Sequence, residues 1–306
     1  MEHTAADAET KGLVFAIDQT AVHDGPGLRM AVYLKGCPLR CVWCHSPESI
    51  RPDPEVVWYE TRCQRCGLCV EACPEGVRRL KDDRLMKENG CRVCGSCVDT
   101  CPAQAAEMKG QWMTAGEIAD QAARVKPFFD RSGGGVTLIG GEPMLQAEFS
   151  WAVAALCREK GIHVAMETTG FTPWEKLERV AGVVDLFLFD LKHADDAKHR
   201  EYTGVPNHTI LDNLKRLTGL GAQVIVRVPV IPGRNGSADD IEAICRAAMD
   251  SGASCLTLLP CNPAAAGKYG WLSQDYPLAA AKRQTDEEME ALETIPCSLG
   301  LTIVPA

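Results

Sequence analysis

The chain of 306 residues has no excess of basic residues and no long apolar run. Its formal net charge of −9 at pH 7 argues against a surface for nucleic acid or for anionic membranes. No stretch of about 18 apolar residues is present, so no membrane-spanning helix is expected. The acidic start lacks a basic segment followed by an apolar run, so no signal peptide is expected. These absences together predict a cytoplasmic protein.

The sequence is instead rich in cysteine, with 16 residues. Eleven of them lie between Cys37 and Cys101, in clusters with gaps of two or three residues. Disulfide scaffolds rarely place cysteines so closely and belong with a secretory signal, so the pattern favours metal ligands in a reducing compartment. The remaining five are expected to be small buried apolar residues: Cys157, Cys245, Cys255, Cys261 and Cys297.

Outside the cysteine-rich segment, short apolar runs alternate with amphipathic stretches. The apolar runs predict β-strands buried on both faces, at 29–35, 136–140, 163–168, 185–190, 223–230 and 255–260. The amphipathic stretches predict α-helices at 114–128, 145–160, 173–181, 209–217 and 238–249. Thr114 and Ser237 are the predicted N-caps of the first and last of these helices.

The repeated strand–helix units predict a parallel sheet with right-handed crossovers. Six clear strands favour an open or partial barrel over a closed barrel of eight strands. The run at 301–304 is a candidate edge strand. The expected fold class is therefore α/β, a partial (β/α)6 TIM-like barrel.

Residues 53–108 interrupt this alternation and contain the run Cys-x2-Cys-x2-Cys-x3-Cys-Pro twice. This is the pattern of bacterial ferredoxins, in which the fourth cysteine of each run ligates the other [4Fe–4S] cluster. Zinc is the alternative, but zinc sites use two pairs of ligands and need no triplet followed by Cys-Pro. The segment is predicted to be a small ferredoxin-like insert with two fully ligated clusters, one held by Cys63, Cys66, Cys69 and Cys101, the other by Cys91, Cys94, Cys97 and Cys73.

Three further cysteines, Cys37, Cys41 and Cys44, follow the first predicted strand. Three thiolates leave one iron of a four-iron cluster without a protein ligand, so that iron is free to bind a cofactor. With Trp43 before the third cysteine, this loop resembles the signature of radical S-adenosylmethionine (SAM) enzymes. The segment Gly140-Gly141-Glu142-Pro143 ends the next predicted strand, and the matching segment in that superfamily holds the methionyl amino group.

Within this superfamily, the chain resembles one smaller group, the glycyl-radical-enzyme activating enzymes, over about residues 13–272. This resemblance depends on further segments: Asp24-Gly25-Pro26-Gly27-Leu28-Arg29, Cys44-His45-Ser46-Pro47-Glu48, Asp190-x-Lys192, Arg227-x-Pro229 with Ile231-Pro232-Gly233, and Leu259-Pro260 with Gly267-Lys268-Tyr269. The insert resembles the subgroup that serves glycerol, choline, isethionate or arylacetate radical lyases. The resemblance implies a radical SAM partial barrel over 1–52 and 109–306, with the insert at 53–108.

The resemblance also implies roles for single residues. Cys37, Cys41 and Cys44 hold the catalytic cluster, Trp43 and His45 lie along the adenine, Gly140, Gly141 and Glu142 meet the methionyl amino group, and Lys192 pairs with the methionyl carboxylate. Asp190, Glu167 and Thr168 lie where a monovalent cation binds in the pyruvate formate-lyase activase. Two positions depart from that activase, because Glu167 replaces an aspartate and Asn262 replaces a histidine that contacts the ribose.

The implied activity is the reductive cleavage of SAM to a 5′-deoxyadenosyl radical, which removes a hydrogen atom from a glycine of a partner glycyl radical enzyme. The implied cofactors are three [4Fe–4S] clusters, SAM and a monovalent cation. The electron is expected from a flavodoxin or a ferredoxin-type reductant. Neither a nucleic acid nor a membrane is an expected partner.

Two other functions compete with this interpretation. Another radical SAM enzyme, such as a peptide maturase or dehydrogenase, also combines open and auxiliary clusters, but its extra cysteines usually follow the barrel. An eight-iron ferredoxin would explain 53–108 and leave Cys37, Cys41 and Cys44 unused.

The open rim of a partial barrel would admit a loop of a protein substrate. Candidates to line that rim are His23, Arg29, His193 and Arg227. For each of them, a purely structural hydrogen-bonding role is the favoured alternative.

Overall fold

The computed structural model describes residues 6–81, 84–87 and 90–305, and at 80–81 and 84–87 it describes the backbone only. The other residues of the predicted barrel segments (1–5 and 306) and of the predicted insert (82, 83, 88 and 89) lie outside the described residues. Within the described residues, no helix combines the length and hydropathy that crossing a membrane requires.

The described strands are β1 (Lys11–Ala21), β2 (Arg29–Leu34), β3 (Glu55–Trp58), β4 (Arg78–Lys81), β5 (Arg84–Lys87), β6 (Ala106–Lys109), β7 (Gln111–Thr114), β8 (Gly135–Gly140), β9 (His163–Thr168), β10 (Leu186–Asp190), β11 (Val224–Val230), β12 (Cys255–Pro260) and β13 (Thr302–Ile303). The described α-helices are α1 (Leu68–Glu71), α2 (Ser96–Asp99), α3 (Ala115–Ser132), α4 (Ala147–Glu159), α5 (Trp174–Ala181), α6 (Asp196–Thr203), α7 (His208–Gly219), α8 (Ala238–Asp250), α9 (Ala265–Trp271) and α10 (Asp286–Ser298).

Nine strands form one sheet in the order β13-β12-β11-β10-β9-β8-β2-β1-β7. The six predicted strands are confirmed, and β2, β8, β9, β10, β11 and β12 run parallel, with β13 as the parallel edge strand. The predicted parallel sheet is confirmed for these strands, but the whole sheet is mixed, because β1 pairs antiparallel with both β2 and β7. A short hairpin connection suffices for β1 and β2, whereas parallel neighbours need a crossover helix.

The two faces of this sheet differ in chemistry. One face packs against the long helices, and the core there includes Val32, Leu138 and Phe189. Alternate residues of the same strands point the other way, and this second face carries Glu167 and Arg227 near the strand ends. The prediction of uniformly apolar strands therefore holds for the helix side, whereas the second face becomes polar toward the carboxyl edge.

Side-chain N-caps mark the starts of several of the described helices. Thr114 caps α3 in a capping box with Glu117, and Ser237 accepts a hydrogen bond from Asp240 N at the start of α8, so both predicted N-caps are confirmed. The helix α10 was not predicted, although Thr285 forms the same capping box there with Glu288. Two further unpredicted helices, α6 and α9, are only eight and seven residues long.

Residues 53–108, called the insert below, lie between β2 and α3. Its first strand, β3, pairs antiparallel with β6, so the segment leaves and rejoins the rest of the chain through one short ribbon. Between them lie the one-turn helices α1 and α2 and the hairpin of β4 and β5. Each one-turn helix follows a glycine in the left-handed region, Gly67 at φ 80° and Gly95 at φ 85°.

Candidate active site

The loop 36–44, which carries three of the clustered cysteines, follows β2 at the carboxyl edge of the parallel strands. Backbone hydrogen bonds hold it in place. Gly36 N donates to Ser49 O at 2.7 Å, and Val42 N donates to Tyr202 O at 2.9 Å, near the end of α6. The loop is therefore fixed at its start by the segment that follows it and near its end by α6, which is distant in sequence.

The three thiols of this loop lie close enough to influence one another. Burial raises the pKa of Cys37 and Cys44, and raises that of Cys41 to about 12. The positive charge of Lys192 acts against this rise at Cys41. Because a cysteine binds iron as the thiolate, three thiolates can coexist here only beside a positively charged group, such as the iron of a cluster.

Two glycines bring the end of β8 against this loop. A Cβ on Gly141 would lie 2.2 Å from Gly36 O, and a Cβ on Gly140, whose φ is +125°, would lie 2.4 Å from Leu34 N. Gly141 N donates to Leu34 O at 2.8 Å. Only glycine at both positions permits this close approach of the two backbones.

Glu142 is buried, and its carboxylate accepts four hydrogen bonds. The donors are Met144 N at 3.0 Å, Thr168 Oγ1 at 2.7 Å, and the backbone N and Oγ1 of Thr169 at 2.7 and 2.6 Å. Burial raises the pKa of this carboxyl, and the four donors oppose the rise. Since an ionised carboxylate offers about four acceptor sites, these bonds saturate it.

Four charged side chains lie together at the carboxyl ends of β9 and β10 and on β11. They are Glu167, Asp190, Lys192 and Arg227, and are called the charged group below. Arg227 Nη1 donates to Glu167 Oε2, and Lys192 Nζ donates to Asp190 Oδ2 at 2.9 Å. Burial, followed by the negative charges of Asp190 and Asp24, raises the pKa of Glu167 to about 7, although Arg227 opposes this. Burial lowers the pKa of Lys192, but Asp190 and the Cys41 thiolate outweigh it, so the net shift is upward.

The remaining predicted SAM contacts occupy different environments. Trp43 is buried, with its ring centroid 6.0 Å from that of Tyr202, whereas His45 is exposed. Asn262 is exposed after β12 and accepts a hydrogen bond from Ala264 N at 3.0 Å. The Thr168 hydroxyl is already engaged with Glu142, so its side chain faces that carboxylate.

The four candidates for the rim also differ in environment: two are buried, one is exposed and one belongs to the charged group. Arg29 is fully buried at the start of β2, where it donates to Val136 O, and His193 is buried beside Tyr202. These two residues have the structural role that was the favoured alternative. His23 is exposed, and Arg227 belongs to the charged group described above.

Two cavities in the insert are lined by the eight remaining clustered cysteines. The thiol-bearing residues of the first are Cys63, Cys66, Cys69 and Cys101. Those of the second are Cys73, Cys91, Cys94 and Cys97. Each cavity thus receives three cysteines from one sequence run and the fourth from the other run.

Two ion pairs beside the cysteine loop were not predicted from the sequence. Lys35 is buried and its Nζ donates both to Glu48 O at 2.6 Å and to Glu55 Oε1 at 2.7 Å. Lys268 Nζ lies 3.0 Å from Glu48 Oε1. The signal available was a Lys directly before Gly36-Cys37, but its partners are 13 and 20 residues away.

Comparison with known proteins agrees with this geometry. Residues 32–248 match the family model of the radical SAM superfamily. A radical SAM methyltransferase from Sphaerobacter thermophilus has a similar fold, with a TM-score of 0.51 and 20% identity over 71% of this chain and 62% of that one. The cysteine loop therefore lies in a recognised fold, and the chain belongs to the radical SAM superfamily, whose members use a [4Fe–4S] cluster and SAM.

Two curated relatives narrow the class further. The choline trimethylamine-lyase activating enzyme of Oleidesulfovibrio alaskensis is 39% identical over 293 residues, which is 93% of this chain and 94% of that protein. The benzylsuccinate synthase activating enzyme of Thauera aromatica is 44% identical over 238 residues, 76% of this chain and 72% of that protein. This protein is accordingly a radical SAM activating enzyme, an oxidoreductase that generates a glycyl radical in a glycyl radical enzyme.

Proposed function

We propose that this activating enzyme holds three [4Fe–4S] clusters, one in the barrel segments 1–52 and 109–306 and two in a ferredoxin-like insert at 53–108. The observation that carries the proposal is the position of the loop 36–44. It lies at the same edge of the sheet as the charged group, and Lys192 acts electrostatically on Cys41. A cluster on Cys37, Cys41 and Cys44 would therefore face side chains of both charges.

The groups around that loop suit the two ends of a methionyl moiety. Lys192 supplies a cation for the carboxylate, and it is already oriented by Asp190 at 2.9 Å. Gly140 and Gly141 expose backbone beside the loop, where a carbonyl can accept from an ammonium. The saturated Glu142 is assigned the task of holding the ends of β8 and β9 together, so that these backbone groups stay in position.

The other predicted contacts concern the nucleoside. We assign Trp43 and His45 to the adenine and Asn262 to the ribose. The Asn262 side chain would then replace its hydrogen bond from Ala264 N with one to a ribose hydroxyl. When bound, the cluster and SAM supply a one-electron reductive cleavage that yields the 5′-deoxyadenosyl radical. The surrounding protein orients the reactive carbon and excludes water.

The environment of Glu167 supports a monovalent cation near Glu167 and Asp190. Burial and the negative charges of Asp190 and Asp24 act against the ionised form of Glu167, although Arg227 and Lys192 oppose them. The negative charge of Glu167 can be neutralised by a proton or by a bound cation. The Thr168 hydroxyl donates to Glu142 and accepts from Gly170 N, so its oxygen retains one lone pair for such a cation.

The composition of the two insert cavities supports the two auxiliary clusters. Each cavity is lined by one triplet of cysteines and by the fourth cysteine of the other run. Crossed ligation of this kind is typical of two-cluster ferredoxins. Zinc is disfavoured because zinc sites use two pairs of ligands and need no cysteine triplet followed by Cys-Pro.

The partner is proposed to be a glycyl radical enzyme that acts on a small organic molecule. The relatives activate a choline lyase and benzylsuccinate synthase, and another, from Clostridioides difficile, activates trans-4-hydroxy-L-proline dehydratase. The electron is proposed to come from a flavodoxin or a ferredoxin-type protein. The negative net charge of −9 argues against nucleic acid as a further partner.

Metal analysis of anaerobically reconstituted protein tests the number and location of the clusters. The wild type should hold about 12 iron atoms per chain, and each of three triple variants about eight, since a cluster contains four irons. The variants replace by Ala either Cys37, Cys41 and Cys44, or Cys63, Cys66 and Cys69, or Cys91, Cys94 and Cys97. Only the first should stop the formation of 5′-deoxyadenosine with dithionite. About four irons in the wild type, or zinc in the insert, would contradict the proposal.

A further inference from the structure

The insert is built from two copies of one backbone, offset by 28 residues. Arg65 and Val93 both adopt left-handed backbone, at φ 55° and 54°, and Gly76 and Gln104 do so at φ 61° and 48°. The hydrogen bonds repeat as well, since Gly76 N donates to Cys73 O at 3.1 Å and Gln104 N to Cys101 O at 3.1 Å. Equivalent positions in the two copies can therefore be compared directly.

One equivalent pair differs sharply in chemistry. Arg78 follows Cys73 by five residues and lines the second cavity, whereas Ala106 follows Cys101 by five residues and lines the first. Both residues begin a strand, β4 and β6 respectively. The two cavities thus have the same construction, but only the second has an arginine at this position.

Arg78 is 3% exposed, and its Nε and Nη2 have no hydrogen-bond partner among the described residues. A buried guanidinium with unpaired donors is strongly unfavourable unless an anion accepts its hydrogen bonds. Arg78 lines the second cavity together with Cys73, Cys91, Cys94 and Cys97, whereas the described lining of the first cavity does not include it.

We propose that Arg78 is a positioning residue for the cluster of Cys73, Cys91, Cys94 and Cys97, and that its guanidinium raises the reduction potential of that cluster above that of its neighbour. This inference rests on the proposed assignment of two clusters to the insert. The cluster gains one negative charge when it accepts one electron from the flavodoxin or ferredoxin-type donor. A buried cation that donates to its sulfur atoms stabilises this added charge, and hydrogen bonds to sulfur are known to set cluster potentials.

The experiment is a redox titration followed by electron paramagnetic resonance on the full chain with Cys37, Cys41 and Cys44 replaced by Ala. Only the two auxiliary clusters then contribute signals. In a second background, Cys63, Cys66 and Cys69 are also replaced, which leaves the Arg78 site alone. With Arg78→Ala, the ratio of reduced to oxidised cluster at this site should fall at least about tenfold at a given potential, which is ~59 mV for one electron.

Arg92→Ala is the matched control, because it removes the same charge from the same half of the insert. Its side chain is 76% exposed and pairs with Glu75, so solvent should screen its effect to less than about twofold. Arg78→Lys should retain most of the wild-type potential, whereas Arg78→Gln should resemble Arg78→Ala. This pair separates the charge from the hydrogen bond.

If Arg78→Ala loses iron, the reduction potentials of Arg78→Lys and Arg78→Gln are compared instead, and that comparison decides. The proposal is overturned if those two variants, or the wild type and Arg78→Ala, show the same potential at the isolated site with four irons bound. It is also overturned if the cluster of Cys63, Cys66, Cys69 and Cys101 shifts equally. A wild-type chain with fewer than about 12 irons would instead refute the three-cluster assignment itself, so the two failures are distinguishable.

Discussion

At the scale of single residues, the site is a set of carboxylates with different tasks. Glu142 has its acceptor positions filled by Met144, Thr168 and Thr169, so it ties the ends of β8 and β9 together. Among the described residues, Glu167 has one hydrogen-bond donor, Arg227, and it lies among other acids, so its charge is less fully compensated. Burial alone therefore does not decide which carboxylate is available for ligand chemistry.

The raised pKa of Glu167, about 7, predicts a pH dependence of stability. Between about pH 4.5 and pH 7, the folded protein holds a proton that the unfolded chain has released, so the free energy of unfolding falls as pH rises through this window. The loss is on the order of 3 kcal/mol, because each of the roughly 2.5 pKa units between 4.5 and 7 corresponds to 1.36 kcal/mol. Glu167→Gln should remove this part of the dependence, so the variant should match the wild type at pH 5 and exceed it at pH 8.

The measurement is the thermal unfolding midpoint of the anaerobic holoprotein without SAM, at both pH values. Glu148→Gln is the control, since the Glu148 side chain is 71% exposed and its pairing with Arg179 is a surface contact. Parallel pH profiles for the wild type and Glu167→Gln would show that Glu167 is ionised throughout the range and that its assigned environment is wrong.

At the scale of elements, the end of β8 is the part of the sheet that positions the cysteine loop. Gly141→Ala should prevent the close approach, because the new Cβ would lie 2.2 Å from Gly36 O, a backbone atom that cannot move aside freely. We expect a loss of stability of about 1–3 kcal/mol. Since the displaced segment carries the cysteines, the iron content should also fall by about four atoms per chain.

Gly219→Ala is the matched control for this prediction. Gly219 ends α7, and a Cβ there would meet nothing within 4 Å. Alanine should stabilise that helix end by about 0.5–1 kcal/mol and leave the iron content unchanged. Equal iron contents in Gly141→Ala and Gly219→Ala would show that β8 does not position the loop.

Strands and helices were predictable where a local sequence pattern determines them. The strand β9 was predicted at its observed bounds, because an apolar run ends there in Glu-Thr-Thr-Gly. The strand β1 was missed, since four of its eleven residues are polar and its place depends on pairing with β2 and β7. The antiparallel part of the sheet therefore could not be deduced from strand–helix alternation.

The site was predictable to a similar extent. Residues at strand ends, such as Asp190 and Lys192, were identified from sequence and lie together. The saturation of Glu142 was not, because its donors Thr168 and Thr169 come from the neighbouring strand, 26 and 27 residues away. Partners of this kind depend on strand order and register, which single residues do not encode.

At the scale of the whole molecule, the insert is joined to the cysteine loop by the buried Lys35. Its Nζ contacts Glu48 O, beyond the last cysteine of the loop, and Glu55, the first residue of β3. One ammonium group thus connects both ends of the loop 36–44 with the base of the insert. The two parts should therefore respond together when this group is removed.

Lys35→Met should destabilise the protein by about 3–5 kcal/mol, because it leaves the Glu55 carboxylate buried and unpaired. The double variant Lys35→Met with Glu55→Leu should recover most of this loss, since no charge then remains buried. Thermal unfolding of the holoproteins measures both. Arg246→Met is the control, since it breaks only an exposed helical pair with Glu242 and should cost less than about 0.5 kcal/mol. A double variant as unstable as Lys35→Met would argue against the buried-charge explanation.

The central claim is that the loop of Cys37, Cys41 and Cys44 binds a cluster that cleaves SAM and so creates a radical on a glycine of another protein. The most direct test is electron paramagnetic resonance of the reconstituted protein mixed anaerobically with SAM, a reductant and a candidate glycyl radical enzyme. The account predicts a glycine-centred doublet, with 5′-deoxyadenosine as the product, and neither with Cys41→Ala. A chain that takes up iron only in 53–108, or that forms no 5′-deoxyadenosine under strong reductant, would contradict it.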